Sequence, residues 1–377
     1  DAAELYAVRY YPDKHYIQTA DIDLSEFSSG KGWEPIGETD GDGYADSEYF
    51  SGSFNGNGYT ISNLYVNRPE KGRTGLFGYV NLARGNSIND VNLQDAVVIG
   101  SVSAGSLIGE IVSGNAVECT VNYSNIRGTE NIGGLIGKAS NSTILHGYAR
   151  NVYIGLNPSY NRAVNVGGLV GTSLEANITY CLTEGMIVGL QKVGGLIGYV
   201  RGGSILKSVS WVSYVEAQDT VGGLIGDVYT GSIEECSAHS SVVGDSIVGG
   251  LVGKTSFRYT SIRFCSATGS VTGGGLHGGL VGLHGGGVIT TSFSRGTVTT
   301  TPDGWGGGGL VGGIWNMPSI DNSYYDSTTS GRTDVGKGFP RTADQMRMQS
   351  TFIGWDFTNI WVMGPSFPIL RNILSLY

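Results

Sequence analysis

Few stretches of this chain carry residue types at spacings that suit chemistry. The run Glu38-Thr39-Asp40-Gly41-Asp42-Gly43-Tyr44-Ala45-Asp46 offers three carboxylates, Asp40, Asp42 and Asp46, around a glycine able to turn sharply. Clustered carboxylate oxygens on a tight loop suit a hard cation, so a structural Ca²⁺ is one expectation and a solvated acidic loop the other. Gly253-Lys254-Thr255 resembles the end of a phosphate loop, but Val248 stands where its first glycine should be. Glycoside hydrolysis needs two carboxylates about 5–9.5 Å apart. Only Asp303, Asp321, Asp326 and Asp334, grouped near the C-terminal end, could be brought together by loops. The four cysteines include Cys236 and Cys265, and the five histidines show no close Cys/His spacing for a metal.

The elements that must position these groups come from a repeat. Glycine makes up 63 of 377 residues, and much of it recurs as Gly-Gly-Leu-(Val/Ile)-Gly. The leucine falls at Leu76, Leu107, Leu135, Leu169, Leu196, Leu224, Leu251, Leu280 and Leu310, a period of about 29. Nine copies at a fixed period announce a solenoid. After each anchor comes Ile-x-x-(Cys/Ser), as in Ile178 to Cys181, Ile233 to Cys236 and Ile262 to Cys265, with Cys119 one residue off. Short β-branched segments bounded by Gly and Asn follow, with no sustained 3.6-residue period. The expectation is all-β: a parallel β-helix of about ten coils, stacked at roughly 4.8 Å into a rod on the order of 50 Å long. Anchor leucines point inward, and the flanking glycines are expected at corners that need positive φ. Cys236 and Cys265 on adjacent coils fall within disulfide range, although stacked buried thiols are the plainer expectation.

Counting from the Cys/Ser position, the second residue is small (Thr183, Ser210, Ala238, Ala267, Ser294) and suits an inward seat. Strand alternation then turns the first and third residues outward. The third-residue column runs Arg150, Glu184, Trp211, His239, Thr268, Arg295, Asp326, and the first-residue column includes Phe293 and Tyr324. A strip of mixed charge and aromatics suits a long sugar chain. An ordinary solvated sheet face is the alternative.

The anchor with its Ile-x-x-Cys phrase resembles the bacterial GLUG-motif repeats. Trp33-Glu34-Pro35-Ile36-Gly37 and the run from Phe50 to Leu64 look like segments that open such arrays. Ser350 to Phe357 and Phe367 to Arg371 look like segments that close them. Such repeats occur in large surface proteins, including adhesins, filamentous-hemagglutinin-like proteins and non-catalytic parts of some IgA-cleaving metallopeptidases. The resemblance implies a right-handed extracellular β-helix on a bacterial surface, and no single activity.

One continuous domain is expected. Residues 1–80 form an N-terminal cap and first coil, with a short helix at Ala2–Tyr10. Residues 81–323 form the repeats, and 324–377 a C-terminal cap that carries Thr342-Ala343-Asp344-Gln345, a capping-box helix start. A net charge of −9 with 15% charged residues argues against nucleic acid as a partner, and no run of 18 apolar residues exists to span a membrane. The function expected is non-catalytic adhesion or glycan binding, secreted or at a bacterial surface. The partner would be a polysaccharide or a host or cell-surface glycan or protein. A polysaccharide hydrolase or lyase, and a structural spacer, remain alternatives.

Overall fold

The computed structural model describes residues 1–37, 49–156 and 162–375. The acidic loop with Asp40, Asp42 and Asp46 lies outside them. The described chain is a parallel β-solenoid. Its strands assemble into three long sheets of 17, 19 and 8 strands, here the anchor face, the front face and the narrow face. The strand pairings described within them are parallel; the antiparallel exceptions are an isolated Gly32–Val66 bridge and the separate hairpin of Trp361–Met363 with Pro368–Leu370.

The leucine ruler reads the register correctly. Residues following the anchors pair coil to coil: Phe77 with Ile108, then Ile136, Val170, Ile197, Ile225, Val252, Val281 and Val311. The isoleucine column is equally regular, from Ile88 through Ala116, Ile144, Ile178, Ile205, Ile233, Ile262 and Ile289 to Ile320. Stacking like on like fills the tube with aliphatic columns, and one buried core runs from Ala2 to Tyr325.

Two sequence expectations change, and the plainer expectation for the cysteines holds. Cys119 is in register, because Ala116 occupies the isoleucine place, and Thr120 pairs with Asn92 and Tyr148. All four cysteines are buried free thiols, so no Cys236–Cys265 bridge forms. Burial pushes the thiols of Cys119 and Cys181 up to about 12, which leaves them inert packing groups.

The anchor glycines also serve a different purpose from the one expected. None of Gly134, Gly168, Gly195, Gly223, Gly250 and Gly279 has positive φ. Close approach is what excludes a side chain there. A Cβ on Gly195 would sit 2.2 Å from the Gly223 carbonyl oxygen of the next coil and 2.2 Å from Ser210 Oγ across the tube. The small second-residue column (Thr183, Ser210, Ala238, Ala267, Ser294) is buried against those glycines. Left-handed corners are instead turned in part by non-glycine residues, at more than one place in several coils. The corner two residues past the isoleucine column uses Asp90, Glu118, His146, Tyr180, Lys207, Glu235, Phe264, Thr291 and Asn322, with φ between 44° and 54°.

The ends behave as caps in part. Helix Ala2–Ala7, capped by Asp1, continues as a 3-10 turn Val8–Tyr10. Coil stacking begins already at His15–Ile17, which pairs with Ser53–Asn55. At the other end Thr342 and Gln345 close the expected capping box of the short helix Ala343–Met346. The aromatic segment beyond it does not cover the end of the tube. It folds back along the front face as a strap.

Candidate functional site

The front face is where the expected strip lies, and the strap divides it. Phe293, Tyr324 and Asp326 are buried, which corrects their assignment as exposed ligand-binding residues. Val209, Phe293 and Tyr324 form a second apolar cluster with Met346, Phe352, Trp355, Trp361, Leu370 and Ile373 of the strap. Phe293 meets the rings of Trp361 at 5.8 Å and Phe367 at 5.9 Å, and Tyr324 meets Phe352 edge-on at 5.5 Å. The strap reaches back as far as the coil of Val209 and Trp211, and the Glu235 carbonyl one coil on accepts a hydrogen bond from Asn372 Nδ2 at 3.1 Å. An outward apolar column needs a cover, and the strap's aromatics supply it.

Arg295 belongs to this arrangement too. Its guanidinium lies 4.6 Å from the Phe367 ring centre and 3.6 Å from Asp326. Asp326 in turn caps the helix Ser327–Ser330, accepting hydrogen bonds from the Thr328 and Thr329 amides. Asp334 accepts from the Gly309 amide, and Asp321 from the Ser319 hydroxyl. Three of the four carboxylates that could have formed a catalytic pair are thus engaged in holding the C-terminal coils.

Upstream, none of the described residues covers the face. Arg150 is exposed and Glu184 half-buried, on consecutive coils whose strands pair from Tyr148–Leu182 to Ile154–Ile187 with a bulge between. Trp211 is half-buried, packs against the strap cluster and lies 6.2 Å from the His239 ring. His239 bonds Thr268 Oγ1 at 2.7 Å, and burial pushes its imidazole down to about 4, so it is neutral at physiological pH. Residues missed by the strand count add to this surface. The adjoining outward column runs Tyr65, Val97, Asn125, Tyr153, Met186, Tyr214 in register, with Tyr153 42% and Met186 39% exposed. It lies two or three residues past the third-residue column, beyond a bulge or break in the strands, so simple alternation did not point to it.

A second outward column, on the anchor face, holds two buried carboxylates with opposite behaviour. Glu110 pairs with Arg73 at 2.7 Å and Lys138 at 2.9 Å. Burial pushes its carboxyl up, but the two cations outweigh burial and hold it below the usual range. Asp227 sits at the same register position further along, 3.5 Å from Lys192. There burial wins over Lys192 and Lys254 and the carboxyl is raised. The signs follow from linkage. Glu110 contributes stability that is present above its unfolded pKa and lost as pH falls through its folded one. Asp227 favours folding fully only below its unfolded pKa, and that contribution is lost as pH rises through the raised value. Glu110→Gln is therefore expected to cost about 2 kcal/mol at pH 7, discounted from the buried-pair range because both cations keep contact with water. Asp227→Asn should be neutral or stabilising by up to about 1 kcal/mol at pH 7. Urea melts at pH 7 and pH 3.5 check this, since both differences should shrink at the lower pH.

Fold and site together define a class: a parallel β-solenoid whose front face is half covered by its own C-terminal strap. No known protein-family model matches the chain. It is 32% identical over 431 aligned positions, covering 96% of this chain, to a protein of Evansella cellulosilytica described as a Gly-rich membrane protein. It is also 32% identical over 124 residues to halomucin of Haloquadratum walsbyi, covering 33% of this chain. The chain spans 42% of the first of these relatives, and the second match spans 1% of halomucin. A solved structure from Bacteroides ovatus described as an immunoglobulin A1 protease aligns over 98% of this chain and 91% of its own, at 16% identity and a TM-score of 0.47. Among the described residues no helix is long and apolar enough to cross a membrane, and no group of three or more His, Cys, Asp or Glu could hold a metal.

Proposed function

We propose that this chain is an extracellular, non-catalytic rod, secreted from or displayed on a bacterial surface, that adheres to glycans through the uncovered half of its front face. The GLUG-type resemblance and the relative described as a membrane protein support the location. The observation that carries the binding role is the uncovered surface itself. Tyr148 and Tyr153 share a strand with Arg150, Glu184 lies on the next coil's paired strand, and Tyr214 follows one coil further in register with Tyr153 through Met186. Flat rings stack on sugar faces, while a guanidinium and a carboxylate bond hydroxyls from either side. Trp211 and His239 border this surface where the strap begins. Arg295 contributes to the strap instead, and its loss should register in stability first.

Glu184→Gln and Tyr153→Ala together are expected to weaken binding to immobilised polysaccharide or host-cell glycans at least about tenfold, equivalent to roughly 1.4 kcal/mol. Both side chains are partly exposed, so the melting temperature should be unchanged. Surface plasmon resonance and a thermal melt on the same samples measure the two effects. A parent protein that binds no glycan in a broad array, or a double variant that binds as the parent does, would sink this reading.

A further inference from the structure

At the corner between the front and narrow faces, the structure holds a notch that the front-face reading does not use. Its origin is a length difference between coils. Gly244 pairs with Gly273 and Gly273 with Thr300, while Gly249 pairs with Gly278 and Gly278 with Gly308. The corner between those two pairings takes residues 245–248 in one coil and 274–277 in the next, but 301–307 in the third. The extra residues have nowhere to go inside the stack. They fold into a turn, with the Gly304 amide bonded to the Thr301 carbonyl at 2.8 Å. The two feet of this loop are pinned to the coil below, Thr301 N to Gly273 O at 3.0 Å and Trp305 N to Gly274 O at 2.8 Å.

The loop therefore overhangs a step made of Gly274 and Gly275. Stacking dictates Gly275 outright, since a Cβ there would lie 2.2 Å from the Ser246 carbonyl oxygen. The consequence is a floor without side chains. Asp245, Ser246 and Ile247 form one wall, and Thr301, Asp303 and Trp305 the other, around a solvent-open space of about 570 Å³. That is room for a sugar unit or two. The indole is the unusual feature. Trp33 and Trp361 are fully buried and Trp355 nearly so, yet Trp305 stands 67% exposed at the edge of the notch. Trp315 is the other exposed indole and lies outside the lining. The Trp305 ring, fixed at its backbone by the coil below, is a flat apolar wall beside two carboxylates. Among the described residues that line the space there is no Lys or Arg.

We propose that this notch is a second binding site, independent of the front face, for a neutral hexose unit of a polysaccharide. The sugar's C–H face lies on the Trp305 indole, and its hydroxyls donate to the Asp245 and Asp303 carboxylates. The two negative charges exclude uronic and sialic acids, which selects uncharged glycans.

The test uses the intact chain with neutral hexasaccharides of glucose, mannose and galactose, and with hexagalacturonate as the charged probe. Titration calorimetry and saturation-transfer NMR read the binding. At least one neutral probe should bind and hexagalacturonate should not bind at this site. Trp305→Ala should weaken that binding about tenfold or more, and Asp303→Asn about threefold or more. Trp305→Phe, which keeps a ring, should retain it within about threefold. Both residues stand on an exposed loop, so the melting temperature stays with the parent. The proposal is overturned if no neutral probe binds, if Trp305→Ala binds as the parent does, or if hexagalacturonate competes equally. Binding lost in the Glu184→Gln, Tyr153→Ala double variant but kept in Trp305→Ala would also overturn it, while leaving the front-face reading intact.

Discussion

Gly195→Ala will destabilise the rod by about 3 kcal/mol or more, the upper end of what overpacking a close-packed interior costs. The single added methyl has two bad contacts, 2.2 Å from the Gly223 carbonyl and 2.2 Å from Ser210 Oγ. The second could be relieved by trimming the serine. The first cannot, because it is backbone against backbone between coils whose separation is fixed by their own hydrogen bonds. Gly195 N donates to Gly222 O, and Leu196 N to Leu224 O at 2.8 Å. Ser210→Ala should therefore fail to rescue Gly195→Ala in chemical denaturation. Full rescue would mean that the tube's bore, and not the coil spacing, excludes the side chain. An unchanged midpoint for Gly195→Ala alone would remove close approach as the reason for the anchor glycines.

That reason also explains which parts of the fold were legible in the sequence. A stack repeats each environment every coil, so residue type repeats where one environment admits few types. The anchor glycines and leucines and the isoleucine column are such places, and they revealed the register outright. Cys119 was misplaced because Ala116 breaks the isoleucine pattern while keeping its position. The left-handed corner two residues past the isoleucine column was invisible for the opposite reason. Its backbone is the same in every coil, yet Glu118, His146, Tyr180, Lys207 and Phe264 all occupy it. Their side chains face different neighbours: Glu118 and His146 approach within 3.7 Å, and Lys207 approaches both Tyr180 and Glu235. The strain of the left-handed conformation is met by the coil-to-coil ladder, so of the nine residues at this corner just Asp90, His146 and Asn322 are of types that favour it.

The candidate site was half legible for a related reason. Alternation along a strand tells which residues leave the tube, and it assigned Arg150, Glu184, Trp211 and His239 to the outward side. It cannot tell what lies over them. The available signal was a mismatch. The first-residue column turns apolar at Leu182, Val209, Phe293 and Tyr324, and the tail is aromatic without a repeat to stack on. An apolar stripe and an apolar segment with no other partner imply each other. The notch was invisible as well, because it follows from a few extra residues in one corner, and a spacing of 30 between Leu280 and Leu310 hides them among ordinary variation.

The strap gives the second large effect, and one that separates it from the tube. Trp361 is fully buried between Phe293 and Trp355, with ring centres 5.8 Å and 4.6 Å away, and among the described residues its indole N–H has no hydrogen-bond partner. Trp361→Ala is expected to cost about 3–5 kcal/mol of strap attachment, as for a large aromatic removed from a packed site. Trp361→Phe keeps much of the packing and removes the unsatisfied donor, so it should cost under about 1.5 kcal/mol. The loss in Trp361→Ala should be local. The strap cluster and the tube's interior are separate apolar clusters, and the coil ladders do not pass through the strap. Hydrogen exchange should show the amides of 343–373 losing protection while those of the anchor and isoleucine columns keep theirs. The uncovered face would then present Val209, Phe293 and Tyr324 to solvent, and the variant should bind a hydrophobic dye and self-associate. If exchange instead accelerates throughout the coils, the strap is an integral closing rung of the solenoid; if it stays protected, the aromatic cluster is not what holds it.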